Sequence, residues 1–278
     1  MVEDRGLVAK IAVATRSPSI SQPMSEPIAS LVNIDIPQRE LGADEAHIWR
    51  LPRDVDESAL ARLSEFLSPD ESARAARLLS ETIRRRFQAG RGLLRSILGM
   101  YHGVSPGSLR FCYGPNGKPG LIFDQSPSQM RTPGALHFNL AHSEGVGLLA
   151  ITQAGPVGVD IEQIRRLENF EGLVKQFFSP REAAAFSRLA PAEQPLAFFN
   201  LWTRKEALLK ATGLGIGSLL HKVEVTFLPG EPASVLSLPA EHWSGCEWDL
   251  ADLPLPPGYV GALALPARNL RAVELHWS

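Results

Sequence analysis

Two helical stretches dominate the hydrophobic pattern of the chain, and each opens on the same four-residue signal. Ser68-Pro69-Asp70-Glu71 begins the first; Ser179-Pro180-Arg181-Glu182, 111 positions later, begins the second. Each offers a serine as N-cap, a proline at the first helical position and a glutamate at the third, which is a capping box. Each then predicts a helical hairpin of similar length that runs to a glycine, Gly99 in one case and Gly213 in the other. Segments rich in β-formers and punctuated by Gly and Pro follow both hairpins. Ala46-His-Ile-Trp-Arg-Leu51 reads as the first strand and Gly147-Leu-Leu-Ala-Ile151 as an apolar one. The echo predicts two similar α+β halves, about 45–155 and 156–278. Residues 1–44, rich in Ser, Pro and small side chains, read as a mostly disordered extension, or as the product of an upstream start codon with Met24 as the alternative.

Composition narrows the class without naming a function. With 278 residues and 44% hydrophobic content, the chain can bury one large core or two modest ones. A formal charge of −2 gives no global push toward nucleic acid or membrane. Two cysteines, Cys112 and Cys246, form neither a metal-spaced cluster nor a disulfide framework, which fits a reducing cytoplasm. No apolar run approaches the roughly 18–20 residues that span a bilayer. Lys10 interrupts the apolar residues 7–14, which argues against a signal peptide.

The informative chemistry lies in two short motifs. Gly158-Val-Asp-Ile-Glu162 puts carboxylates at i and i+2 on a strand, aimed at one face. In Trp202-Thr-Arg-Lys-Glu-Ala-Leu-Leu-Lys210, Glu206 and Lys210 are four apart on a helix and also share a face. Singly, the first is most often a solvated strand face, and the second an exposed pair contributing roughly 0.2–0.5 kcal/mol. Three hard oxygen donors beside lysines suit Mg²⁺ with a phosphorylated substrate.

In this order and wording, the two motifs resemble the signature of the 4′-phosphopantetheinyl transferase superfamily, in its long Sfp-type branch. The resemblance implies a pseudo-dimer of two similar α+β subdomains with coenzyme A bound in the cleft between them. It covers most of the chain after residue 44, densely from 84 to 212. It implies that Asp160, Glu162 and Glu206 hold Mg²⁺, with Mn²⁺ as an alternative, and that Lys205 and Lys210 flank the coenzyme A pyrophosphate. The Trp202 side chain is expected to pack the helix against the sheet.

The first half supplies the remaining matches. Arg84, Arg91 and Arg95 fall along one helical stripe, with Arg86 beside them, and the resemblance makes Arg86 and Arg91 the phosphate contacts. Lys118, in the turn-rich Tyr113-Gly-Pro-Asn-Gly-Lys-Pro119, matches a coenzyme A-binding lysine. His142, in Phe138-Asn-Leu-Ala-His-Ser143, matches a phosphate-binding histidine, whereas Ala141 stands where the family has serine. Gly213-Leu-Gly-Ile-Gly217 resembles a helix-ending segment and lacks the Gly-Lys-Ser/Thr tail of a P-loop.

The implied reaction moves the 4′-phosphopantetheine arm of coenzyme A onto a serine of an apo acyl, peptidyl or polyketide carrier. Adenosine 3′,5′-bisphosphate is the other product, with Glu206 and Lys210 as the catalytic pair. The serving pathway could be fatty acid, polyketide or non-ribosomal peptide synthesis. A monomeric, cytoplasmic enzyme with neither nucleic-acid nor membrane partners is expected. Two other readings use the same residues: a Mg²⁺-dependent hydrolase of phosphate anhydrides, and a non-catalytic coenzyme A-binding or carrier-docking relative.

Overall fold

The computed structural model describes residues 40–122, 136–167, 170–215, 219–243, 247–266 and 271–277. The first half runs from strand β1 (Glu45–Pro52) through helices α1 (Glu57–Ser64), α2 (Pro69–Ala76) and α3 (Glu81–His102). The short hairpin β2 (Arg110–Tyr113) and β3 (Pro119–Ile122) follows, then β4 (His137–Ser143) and β5 (Val146–Thr152). The second half repeats the sequence of elements. It has β6 (Gly158–Gln163), α4 (Phe170–Phe177), α5 (Pro180–Phe186), α6 (Gln194–Thr212), the β7 (Glu224–Val225) and β8 (Val235–Ser237) ribbon, α7 (Ala240–Trp243), β9 (Trp248–Asp252) and β10 (Tyr259–Pro266). Strand β11 (Arg271–His276) closes the fold.

The sheets repeat as well. In the first, β5 lies between β1 and β4; in the second, β10 lies between β6 and β9, and all four pairings are antiparallel. Two similar α+β units are therefore present in the topology. Strand β11 crosses back and pairs in parallel with β1, so the last strand belongs to the first sheet.

Pleating explains how two sheets and two helix layers share the core. Ala46 and Ile48 of β1, with Val159 and Ile161 of β6, enter the apolar cluster between the sheets. The alternate residues Trp49 and Leu51 turn to α3, packing on Leu93, Leu94 and Ile97. Helix α6 is buried on nearly every side, from Ala197 to Leu209.

Both capping glutamates are present and both do more than cap. The Ser68 backbone N–H donates to Glu71 (3.0 Å), and the Ser179 N–H donates to Glu182 (2.8 Å). Glu71 also receives Arg95 of α3 (2.7 Å), and Glu182 receives Lys205 of α6 (2.5 Å). In each half a buried cation ties the capping box to the long central helix.

Two boundaries differ from the sequence reading. Leu41 is already buried against the first core, so the folded chain begins before β1; residues 1–39 lie outside the described residues. Helix α3 runs through Gly99 and ends at Gly103 (φ 67°). Val104 N–H bonds the Gly99 carbonyl and Gly103 N–H that of Met100, a Schellman pair that needs a left-handed residue at 103. Gly99 instead answers close packing, since a Cβ there would stand 2.8 Å from the Val104 carbonyl oxygen. Gly213 (φ 74°) does cap α6; Gly217 and Cys246 lie outside the described residues.

Candidate active site

Gly158 is where the strand meets the helix. A Cβ on it would fall 1.9 Å from the Ala207 carbonyl oxygen, so β6 rests directly on the backbone of α6. This approach lays Asp160 and Glu162 against the face of α6 that carries Glu206 and Lys210. Lys210 Nζ donates to Asp160 Oδ1 at 2.6 Å. Asp160 Oδ2 is buried with no hydrogen-bond partner among the described residues. Glu206 is buried as well, at 2% exposure.

The electrostatics follow from three carboxylates in a buried place. Burial pushes the Asp160 carboxyl above its ordinary range, against the pull of Lys210. Glu162 is raised by burial and then by the charge of Asp160, with Arg165 and Ser143 opposing. Burial alone would depress Lys210, but Asp160, Glu206 and Glu162 outweigh it and hold the ammonium above the ordinary lysine value. Negative charge exceeds positive here, and one carboxylate oxygen lacks a donor. That donor set fits a small, hard divalent cation. Among the described residues the three carboxylates are not gathered into a ready metal cage; Lys210 takes Asp160 Oδ1 instead.

The first half reaches this site through β4. Strand β4 runs beside β6 without ladder pairing, and two β4 side chains take the place of the ladder. Asn139 Oδ1 accepts from Val159 N–H (2.8 Å). Ser143 Oγ accepts from Gln163 N–H (3.0 Å) and donates to Glu162 Oε2 (2.9 Å). Arg165 Nη1 adds a second donor to Glu162 Oε2 at 3.3 Å. Sequence reasoning passed over Asn139 and Ser143 as members of a motif and missed Arg165, whose arginine type and spacing carry no signal.

Other predicted residues are distributed unevenly. His142 is exposed at the end of β4, next to Ser143. Arg86 lies at the N-terminal part of α3 and binds Asp54 and Glu144. Arg91 is held by Glu71 (3.3 Å) and the Tyr113 hydroxyl (3.0 Å), with its guanidinium facing the Phe111 and Tyr113 rings. Trp202 packs on Phe177 and Phe198, as expected of a core residue.

Two lysines stand elsewhere than expected. Lys205 is fully buried, and its ammonium donates to Glu182 and to the Phe177 and Leu220 carbonyls. It precedes Glu206 by one residue, about 100° round the helix, and so faces α5 rather than β6. Lys118 reaches from the β2–β3 turn to the carbonyls of Val157 (3.2 Å), Lys210 (2.6 Å) and Ala211 (3.2 Å). All three ammonium donors are used on backbone, and burial lowers the Lys118 pKa to about 8. Asn116 Nδ2 reinforces the same junction on the Gly213 carbonyl (2.8 Å).

The sequence pattern of the 4′-phosphopantetheinyl transferase superfamily matches residues 156–264, which include β6 and α6. The chain is also 42% identical over 229 residues to the 4′-phosphopantetheinyl transferase HetI of Nostoc sp., spanning 82% of this chain and 91% of that one. The chain belongs to the 4′-phosphopantetheinyl transferase superfamily.

The likeness to other superfamily members is long as well. The 4′-phosphopantetheinyl transferase psf-1 of Bacillus pumilus is 32% identical over 187 residues, covering 67% of this chain and 74% of that one. The 4′-phosphopantetheinyl transferase ffp of Bacillus subtilis is 28% identical over 213 residues, covering 77% and 88%. These relatives put the protein in the Sfp-type branch of the superfamily. Among the described residues, no helix is long and apolar enough to cross a membrane. Against the family motif, Ala141 is a packing residue: it is 3% exposed within the apolar cluster between the sheets. A serine there would bury its hydroxyl among Ala46, Ile48 and Leu148.

Proposed function

We infer that this protein transfers the 4′-phosphopantetheine arm of coenzyme A to the serine hydroxyl of an apo carrier protein and releases adenosine 3′,5′-bisphosphate. The observation that carries the reading is the meeting of Asp160 and Glu162 on β6 with Glu206 and Lys210 on α6, in a chain of this family. Asp160, Glu162 and Glu206 are the residues that would hold Mg²⁺, or Mn²⁺ in its place. Bound there, the cation supplies positive charge to the pyrophosphate oxygens.

The serine oxygen attacks the phosphorus next to pantetheine; that P–O bond forms as the bond to the bridging oxygen breaks. Glu206 accepts the serine proton. Lys210, kept charged by the same carboxylates, stabilises the phosphate that departs with the adenosine portion. Arg86 and His142, at the first-half side of the junction, bind coenzyme A phosphate and orient it. Lys205 has no part in the site, and Lys118 serves by anchoring the C-terminal end of α6. Acyl, peptidyl and polyketide carriers all offer the required serine, and the protein acts as a monomer because its two halves supply both walls of the cleft.

Intact-protein mass spectrometry tests the reading. An apo acyl carrier protein and an apo peptidyl carrier protein are each incubated with the protein, coenzyme A and Mg²⁺, with and without EDTA. A metal-dependent gain of one phosphopantetheine arm on either is expected. Coenzyme A breakdown without a carrier, or binding without transfer to any carrier, would overturn it.

A further inference from the structure

The arginine assigned to phosphate is already occupied by two carboxylates of the chain itself. Arg86 Nε and Nη2 form a forked pair with Asp54 (2.7 and 2.9 Å), and Nη1 donates to Glu144 Oε2 at 2.8 Å. These two contacts differ in kind. A forked pair fixes the guanidinium plane, so Asp54 orients Arg86. Glu144 makes one bond from a side chain that is 56% exposed, and a single exposed ion pair is readily exchanged.

The location of Glu144 is built rather than incidental. It forms the β4–β5 turn, where it has a left-handed backbone (φ 50°), unusual for a residue with a side chain. Three contacts clamp that turn onto residues 53 and 54. Arg53 N–H donates to the Gly145 carbonyl (2.9 Å), and Arg53 Nη1 to the Glu144 carbonyl (3.0 Å). Gly145 lies so close that a Cβ would stand 2.5 Å from Asp54 Oδ2. The turn follows directly on His142 and Ser143. Arg53 and Arg86 against Asp54 and Glu144 make the group neutral, so neutralising Glu144 would leave one positive charge at the edge of the site.

We propose that Glu144 is an intramolecular counter-anion that competes with the phosphate of coenzyme A for Arg86 and thereby sets coenzyme A affinity. The proposal rests on the functional reading above, in which Arg86 binds phosphate. Phosphate entry displaces the Glu144 carboxylate from Nη1, while Asp54 keeps the guanidinium in place. Glu144 acts only through Arg86 and is a positioning residue.

Isothermal titration calorimetry of coenzyme A against the wild type, Glu144→Gln, Arg86→Gln and the double variant decides it. Removal of an exposed competing ion pair predicts a Kd about two- to five-fold lower in Glu144→Gln. The gain should shrink at high salt and vanish in the Arg86→Gln background. Loss of structure does not tighten binding, so a gain is diagnostic. Unchanged or weaker binding in Glu144→Gln would overturn the proposal, as would an equal gain without Arg86. A wild-type protein that does not bind coenzyme A would instead overturn the functional reading itself.

Discussion

The two halves share a frame and differ in what the first strand turns toward its helix. On β1 the helix-facing residues are Trp49 and Leu51, packed into the apolar layer under α3. On β6 the residues 111 positions later are Asp160 and Glu162, facing α6. The opposite face is apolar in both strands, with Ala46 and Ile48 in one and Val159 and Ile161 in the other. The frame thus depends on one strand face and on the capping-box ion pairs, Glu71–Arg95 and Glu182–Lys205. Chemistry entered where the frame could spare apolar packing. The second half buries carboxylates there, and Lys210, Arg165 and Ser143 offset part of the desolvation.

The sharpest way to test that division is to remove site carboxylates. Asp160→Ala and Glu206→Ala should each lower transfer by about 100-fold or more, with circular dichroism and the melting transition close to wild type. Near-normal transfer by a folded variant would end the metal and base assignments. The frame should respond the other way. Glu71→Ala and Glu182→Ala each strand a buried cation, and each should cost about 3–5 kcal/mol in urea denaturation. A large loss in one half only would break the equivalence drawn between them.

Ser143 sharpens the comparison at the junction of the halves. Its alanine variant should raise the Mg²⁺ concentration for half-maximal transfer about ten-fold, the usual scale for a residue that orients a ligand. Calorimetric Mn²⁺ binding should weaken in parallel, and Ser143→Thr should restore both. No change in metal affinity would reduce Ser143 to a strand-to-strand contact.

The smallest effect concerns Lys118. Lys118→Met should destabilise the fold by about 1–3 kcal/mol, because buried carbonyls lose donors. Its folded pKa, lowered to about 8 from an unfolded value of 10.5, adds a pH signature. Between these values the unfolded chain binds more protons, so stability rises with pH across that window. Below pH 8 the charged ammonium is buried at a cost, and above 10.5 neither state carries it. The rise, measured as the melting transition from pH 8 to 10.5, should be smaller in Lys118→Met. A weaker coenzyme A affinity at unchanged stability would restore the sequence-based role.

Much of the candidate site's geometry was legible because its key pairs are local. Asp160 and Glu162 share a strand face by the two-residue period, and Glu206 and Lys210 share a helix face by the four-residue spacing. The repeated Ser-Pro-x-Glu signal likewise marked the start of a capped helix in each half. Lys205 shows where local reasoning failed. Adjacency to Glu206 in sequence means a turn of about 100° on a helix, and Lys205 faces Glu182. Gly99 failed in a related way, since a helical glycine answers packing as readily as capping.

By itself, then, the sequence determined which side chains share a face, where helices start, and the family these patterns signify. Only the tertiary structure decided which faces meet. It set β6 on α6 at Gly158, turned Lys118 to backbone carbonyls, and placed Glu144 on Arg86. The reason is physical. Faces follow from the period of a single element, whereas partners depend on contacts between residues far apart in the chain, 58 positions in the case of Arg86 and Glu144.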